Sequence, residues 1–324
     1  MFVINPILYA LKHPDQLRLK IFYFSLEMSP EAKYQIFICH LLYLMSGRKI
    51  MISPTELKST SNGFPLKEEV LEMMDTPKMK EIYAKYEECV TFISDIRNPT
   101  GIYMFLKRYA EEHGTVHKKT ITIKNKVTGE EESTQVFDWY EQDDPEEYRL
   151  FIIDHLSLLD EEQGFDKRKT MSLMSQKYCV QLRNLWKYIP VVVQQQSLEQ
   201  QDLDHIKAGR MLPSAQGLGD CKTSTQDIDV MIGIFSPWQM QLTEFMGYSI
   251  DKFRNNIRFM NLITSRWTGG AGSVIPLYFK GEVNYFEELP RPEERDALQK
   301  YFSNTPTLFF FNDWKRKIKK LFKL

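Results

Sequence analysis

The chain has 324 residues, 43% hydrophobic and 13% aromatic, enough to bury one large core or two modest ones. Lys and Arg number 42 against 43 Asp and Glu, so no global charge draws the protein to nucleic acid or a membrane, and any such binding must be local. Four scattered cysteines, Cys39, Cys89, Cys179 and Cys221, form no Cys-x-x-Cys pair and suit a reducing compartment; no stretch approaches the roughly 18 apolar residues of a membrane span.

Met1 to Leu11 reads as the rear of a helix that begins before the sequence does, because no capping residue precedes Phe2 and Ile4, Leu8 and Leu11 share a face. It lacks the basic segment and cleavage site of a secretion signal. Leu19 to Phe24 predicts a buried strand ending at Ser25-Leu-Glu-Met28, after which Ser29 is placed to cap a helix and Pro30 to fill its first turn. Glu27 then lies on a strand-to-helix turn, either as a solvated carboxylate or as a general base that orients a water for attack on a phosphate. Residues 53–86 read as charged helices with a solvated face, broken at Pro65 and Pro77. Val90 to Asp95 predicts a third strand, Asn98-Pro-Thr-Gly101 a turn, and the residues to about Glu112 an amphipathic helix. His113 and His117 stand four apart, but Gly114 and the helix end argue against a metal site. Alternation about Gly129 predicts a β-hairpin inserted at about 118–140.

Tyr148 to Asp160 organises the chain. It is an apolar run too short for a helix, the pattern of a parallel strand covered on both faces, and ligands of such sheets bind beyond the carboxyl ends of the strands. Asp154 sits at that end. In nucleotide hydrolases this is the Walker B position, where a carboxylate supports Mg²⁺, although apolar strands ending in Asp also occur in proteins that bind no nucleotide. A polar stretch with Lys167, Arg168 and Lys169 follows, then a helix from about Met171 to Trp186 and a buried strand, Tyr188 to Val193, ending on Gln194-Gln-Gln196. Ser197 to Asp220 is a long loop carrying Lys207 and Arg210. Asp227 to Phe235 and Asn256 to Ser265 read as strands, the second running into Arg266-Trp-Thr-Gly-Gly270, and Val274 to Phe279 with Val283 to Phe286 as a terminal hairpin.

The order of five motifs is more specific than any one of them: Ser25-Leu-Glu-Met-Ser29, Ile153-Asp-His-Leu-Ser-Leu158, Pro190-Val-Val-Val-Gln-Gln-Gln196, Gln226-Asp-Ile-Asp229 and Ser265-Arg266 with its glycines. Together they resemble the DnaB-type replicative DNA helicases, RecA-like ATPases that form hexameric rings, over roughly residues 1 to 288. The hairpin and the Trp267-Thr-Gly-Gly270 variant look like forms carried by bacteriophages. The resemblance implies an α/β RecA-like P-loop ATPase core with a mainly parallel sheet flanked by helices, one domain over 1–289, and a tail over 290–324. It further implies ATP and Mg²⁺ as cofactors, single-stranded DNA, a primase or loader as partners, and a cytoplasmic location. By position, Glu27 would activate the hydrolytic water, Asp154 support Mg²⁺, Gln196 sense the γ-phosphate, and Arg266 act as an arginine finger in a neighbouring subunit. Lys167, Arg168, Lys169, Lys207 and Arg210 become candidates for DNA phosphate contacts in the channel, against the plainer reading of solvated loops.

Three departures qualify this. Thr264 stands where the family has a lysine, and Leu218-Gly-Asp-Cys221 replaces Leu-Arg-Asp/Glu-Ser. The third is larger: no Gly-Lys pair occurs, so the Gly-x-x-x-x-Gly-Lys-Ser/Thr phosphate cradle is absent from this sequence. In the family that loop precedes the helix matched by Met1 to Leu11, and its strand lies inside the sheet. The expectation is therefore a downstream portion of a split, interrupted or truncated helicase, one interior strand short, with an upstream polypeptide supplying strand and loop and the collar domain missing as well. The alternatives are a non-catalytic remnant or assembly subunit and a RecA-like recombinase. The tail ends in a basic amphipathic stretch with Trp314, Ile318, Leu321 and Phe322 on one face, suited to a packed terminal helix or to docking on a partner, nucleic acid or a membrane surface.

Overall fold

The structure is a computed structural model that describes residues 3–58, 65–124, 131–195, 211–218, 227–267 and 269–303. Gln196, Lys207, Arg210, Cys221 and the basic end of the tail lie outside the described residues. The chain divides into two compact units, Met1–Ser197 with Ala215–Ile228, and Leu198–Ser214 with Asp229–Leu324, where the sequence reading had one domain over 1–289. Each unit has its own sheet and core, and that is why it separates.

The first unit comprises α1 (Ile4–Lys12), β1 (Arg18–Ser25), α2 (Pro30–Met45), α3 (Pro54–Leu57), α4 (Glu68–Met74), α5 (Pro77–Cys89), β2 (Val90–Ile93) and α6 (Pro99–Glu112). The hairpin β3 (Gly114–Lys124) and β4 (Glu131–Gln142), then β5 (Glu147–Asp154), α7 (Lys167–Ser172), a π-helical segment (Leu173–Cys179), α8 (Val180–Trp186) and β6 (Tyr188–Val192) complete it. Four strands pair in parallel in the order β2-β1-β5-β6. Both faces are covered, which explains the unbroken apolar runs. Phe22, Phe24, Phe151 and Ile153 pack on Ile102 and Leu106 of α6 and on Met174, Leu182 and Trp186, while Ile21 and Ile152 pack on Ile7, Phe37, Leu41 and Met79. This is an α/β core with a parallel sheet flanked by helices, of RecA-like type.

Local chemistry sets the helix starts. Ser29 caps α2 by accepting from the Ala32 N–H at 3.3 Å, with Pro30 at the first position. The buried stripe of α1 is Ile4, Ile7 and Ala10, with Leu8 and Leu11 flanking it. Asn98 to Gly101 does not form a separate turn: Pro99 opens α6 directly. Lys167, Arg168 and Lys169 likewise leave the expected loop and form the first turn of α7, because Asp166 accepts from the Lys169 N–H at 2.7 Å and starts the helix early.

β6 departs from the sequence reading. Among the described residues it is the sheet's edge, with only Tyr188 buried and Ile189, Val192 and Val193 exposed by 43%, 37% and 39%. The Val193 N–H donates to the Ile153 carbonyl and the Leu156 N–H to that of Val193, so by alternation Ile189 and Val191 also face β5. Tyr188, Pro190 and Val192 turn their backbone groups outward, and Pro190, which has no N–H, stands on the side where no ladder bond is lost.

The hairpin is longer than the alternation suggested and is anchored by Arg149, whose side chain is 1% exposed. Its guanidinium donates to Glu147, to the Tyr140 hydroxyl at 2.7 Å and to the His113 carbonyl at 3.1 Å. His117 stacks on Trp139 with ring centroids 3.9 Å apart and pairs with Glu141.

In the second unit, β7 (Val230–Phe235), β10 (Ile257–Ser265), β11 (Val274–Lys280) and β12 (Tyr285–Glu288) form an antiparallel sheet in the order β12-β11-β10-β7. The small pair β8 (Glu244–Phe245) and β9 (Tyr248–Ser249), with α9 (Ile250–Phe253) and α10 (Arg295–Ser303), accompanies it. Phe235, Tyr248, Phe253, Phe259 and Tyr278 pack with Leu298 and Tyr301, so residues assigned to the tail begin inside this core. Gly233 is required where Pro213 crosses β7, since a Cβ there would come within 2.2 Å of the proline ring. Among the described residues no helix is long and apolar enough to cross a membrane.

Two outcomes follow from the packing. Arg149→Met should lower unfolding stability by about 3 kcal/mol, read from urea midpoints, because it leaves Glu147 and Tyr140 without their donor. Burial raises the thiol pKa of Cys89 and pushes those of Cys39 and Cys179 up to about 12, so all three should resist a thiol reagent at about pH 8 until the chain unfolds.

Candidate functional site

The site lies at the carboxyl ends of β1 and β5, where the register pairs Ser25 with Asp154. The Leu26 N–H donates to the Asp154 carbonyl at 3.0 Å, tying the Glu27 turn to the end of β5. Glu27 itself is exposed at that turn, and Ser25 donates to the Met28 carbonyl to close it. The peptide joining Asp154 to His155 is cis.

Arg97 braces both loops. Its guanidinium donates to the Leu26 carbonyl at 3.1 Å and to the Leu158 carbonyl at 3.3 Å. The Glu162 carboxylate accepts from the Thr100 N–H at 2.6 Å and from Asn98, fixing the start of α6 to the same region.

The Asp154 carboxylate is enclosed, at 13% side-chain exposure. Its Oδ2 accepts from the Tyr23 hydroxyl at 2.6 Å and from the Lys33 ammonium at 2.5 Å. Burial alone would raise its pKa, but the two hydrogen bonds and the Lys33 charge outweigh it and hold the carboxyl below its ordinary value. The Tyr23 phenol is pushed far up by burial first, then by its bond to Asp154, with Glu27 adding a smaller contribution. Neither Tyr23, placed only within the predicted strand, nor Lys33 was a site candidate in the sequence reading. Lys33 sits one turn beyond the Ser29 cap, where its N–H makes the first helical bond to the Ser29 carbonyl.

These residues do not fit a bound Mg²⁺ as they stand. That ion wants oxygen ligands at about 2.0–2.1 Å, typically one or two carboxylates completed by phosphates and water. Here the Asp154 oxygen already carries an ammonium and a hydroxyl, and among the described residues no three Asp, Glu, His or Cys side chains gather as a metal site.

Of the basic candidates, Lys167 is engaged with the Leu159 carbonyl, while Arg168 and Lys169 are exposed. They line an open groove with Phe165, Ser172, Gln176 and Lys177, of which the sequence reading identified none. Arg266 belongs to the second unit, where its backbone N–H donates to the Asp229 carbonyl and its guanidinium lies 3.5 Å from the Asp229 carboxylate. Two of the five motifs thus meet through this pair. Trp267 beside it is 78% exposed.

No family model and no curated protein matches the sequence. Among solved structures, the fold is similar to that of a DnaB-like replicative helicase described with its interactions with primase. The TM-score is 0.55 and the identity 13%, over 84% of this chain and 51% of that one. This chain therefore spans about half the length of that helicase chain, and the likeness is one of fold.

Asp154 gives a pH signature. A lowered native pKa contributes stability that is complete above the ordinary carboxylate value of about 3.9 and is lost as pH falls through the native value. Asp154→Asn should flatten the acid limb of stability measured from about pH 6 to pH 2, and Tyr23→Phe, which removes one donor, should shift that loss to higher pH.

Proposed function

We propose that this chain is a core subunit of a phage-type, DnaB-like replicative helicase, in which the ATPase site is completed by a P-loop-bearing segment outside this sequence. One observation carries the reading: among the described residues β6 ends the parallel sheet, with its outward backbone groups and the exposed Ile189, Val192 and Val193 available to a further strand, in a fold similar to a DnaB-like helicase. In the assembly, Glu27 orients the water that attacks ATP, and its exposure at a braced turn suits that role. ATP, with its Mg²⁺, belongs to the completed site. Gln196 senses the γ-phosphate, and Arg266, released from Asp229, stabilises charge in a neighbouring subunit of a hexameric ring. Arg168 and Lys169, helped by Lys207 and Arg210, contact single-stranded DNA, while Lys167 supports the loop after Asp154. A primase or a loader is the expected partner, in the cytoplasm of a bacterial or phage-infected cell.

A second reading, an assembly subunit that hydrolyses nothing, is favoured by the occupied Asp154 carboxylate. DNA-stimulated ATP hydrolysis separates the two. This chain alone should be inactive, its mixture with a P-loop-bearing fragment active, and Glu27→Gln in the mixture slower by about a hundredfold or more. A mixture that forms a complex yet hydrolyses no ATP would establish the second reading.

A further inference from the structure

Asp154 is neutralised by a side chain of its own unit, and the arrangement is built rather than incidental. Lys33 and Asp154 have side chains only 18% and 13% exposed, so water screens the pair weakly. The Lys33 ammonium also lies 5.2 Å from the centroid of the Tyr23 ring, and the Tyr23 hydroxyl donates to the same Oδ2, so the three groups satisfy one another. The backbone fixes each of them: Tyr23 and Asp154 by the β1–β5 register, Lys33 by the Ser29 cap and Pro30.

We infer that Lys33 is the resident counter-ion of Asp154 and keeps a divalent cation off this carboxylate for as long as the cap of α2 holds Lys33 in place. A divalent ion at about 2.1 Å from Oδ2 would stand no more than about 4.6 Å from an ammonium that is 2.5 Å from the same atom, two like charges sharing one buried oxygen. To take Oδ2, the ion must displace the Lys33 ammonium from the oxygen that it shares with the Tyr23 hydroxyl. Lys33 is thus a positioning residue that sets the charge state of the pocket in the isolated chain. Any assembly in which Asp154 takes a metal has first to draw Lys33 away, by a change of rotamer or a shift of α2. The exclusion holds whether or not the chain works in a helicase.

Mn²⁺ alone, followed by electron paramagnetic resonance of the free ion, tests this on the 324-residue chain. Lys33→Met should bind Mn²⁺ at least about tenfold more tightly than the wild type, Lys33→Met/Asp154→Asn should lose that gain, and Lys33→Arg should behave as the wild type. Equal binding by the wild type and Lys33→Met overturns the inference, as does a gain that survives in the double variant. On the unmodified chain, acetic anhydride should label Lys33 more slowly than Lys67, whose side chain is 82% exposed, and Mn²⁺ should leave that rate unchanged. Labelling of Lys33 that Mn²⁺ accelerates would mean that the ion displaces the ammonium, and would overturn the inference without any variant.

Discussion

The parallel pairing of β1 with β5 is the contact on which the first unit depends. Its register runs without a break from Arg18 opposite Glu147 to Ser25 opposite Asp154, and apolar side chains cover both faces. Burial of those faces makes a slip of one residue prohibitive, since it would exchange the two packed faces along the whole strand. The ends of the two strands are therefore held level. From that alignment come the bond between Leu26 and Asp154, the reach of Tyr23 across to the carboxylate, and the placing of the Glu27 turn beside them. The site is a consequence of the core's register before it is a consequence of its own polar groups.

Those polar groups then divide into two kinds. Arg97 and Glu162 satisfy backbone groups in the loops, which stiffens the rim without touching the Asp154 carboxylate. Tyr23, Lys33 and Asp154 satisfy one another inside it. A buried carboxylate is costly to leave unpaired, and the chain resolves the cost locally with a lysine from the adjoining helix. Arg266 is treated likewise, resting against Asp229 within its own unit. In both cases a charge is held by a partner of its own unit.

What could be read in advance was whatever depends on local chemistry. The apolar runs of β1 and β5 and the Ser29-Pro30 start of α2 are encoded within a few residues, and they stand where the sequence placed them. Asp166 before Lys167-Arg-Lys169 is an equally local cap signal, and it starts the helix inside what reads by composition as a polar stretch. The Tyr23–Asp154 bond spans 131 positions and the Lys33–Asp154 bond 121, and no spacing rule joins residues so far apart. The exposure of β6 was hidden for another reason: Tyr188 to Val193 has the same apolar composition whether its outer side is covered or open, so composition cannot say where a sheet stops.

Pro190 gives that open edge a preference among partners. Two copies of β6 laid antiparallel about this residue would set proline against proline, carbonyl facing carbonyl with no N–H between them, and the central pair of rungs would be lost. A strand of different sequence, running parallel, needs to forgo only the one bond that Pro190 cannot donate. The edge is thus a poor template for its own kind and a serviceable one for a stranger, so the ring closure of a single side chain sorts self-association from completion.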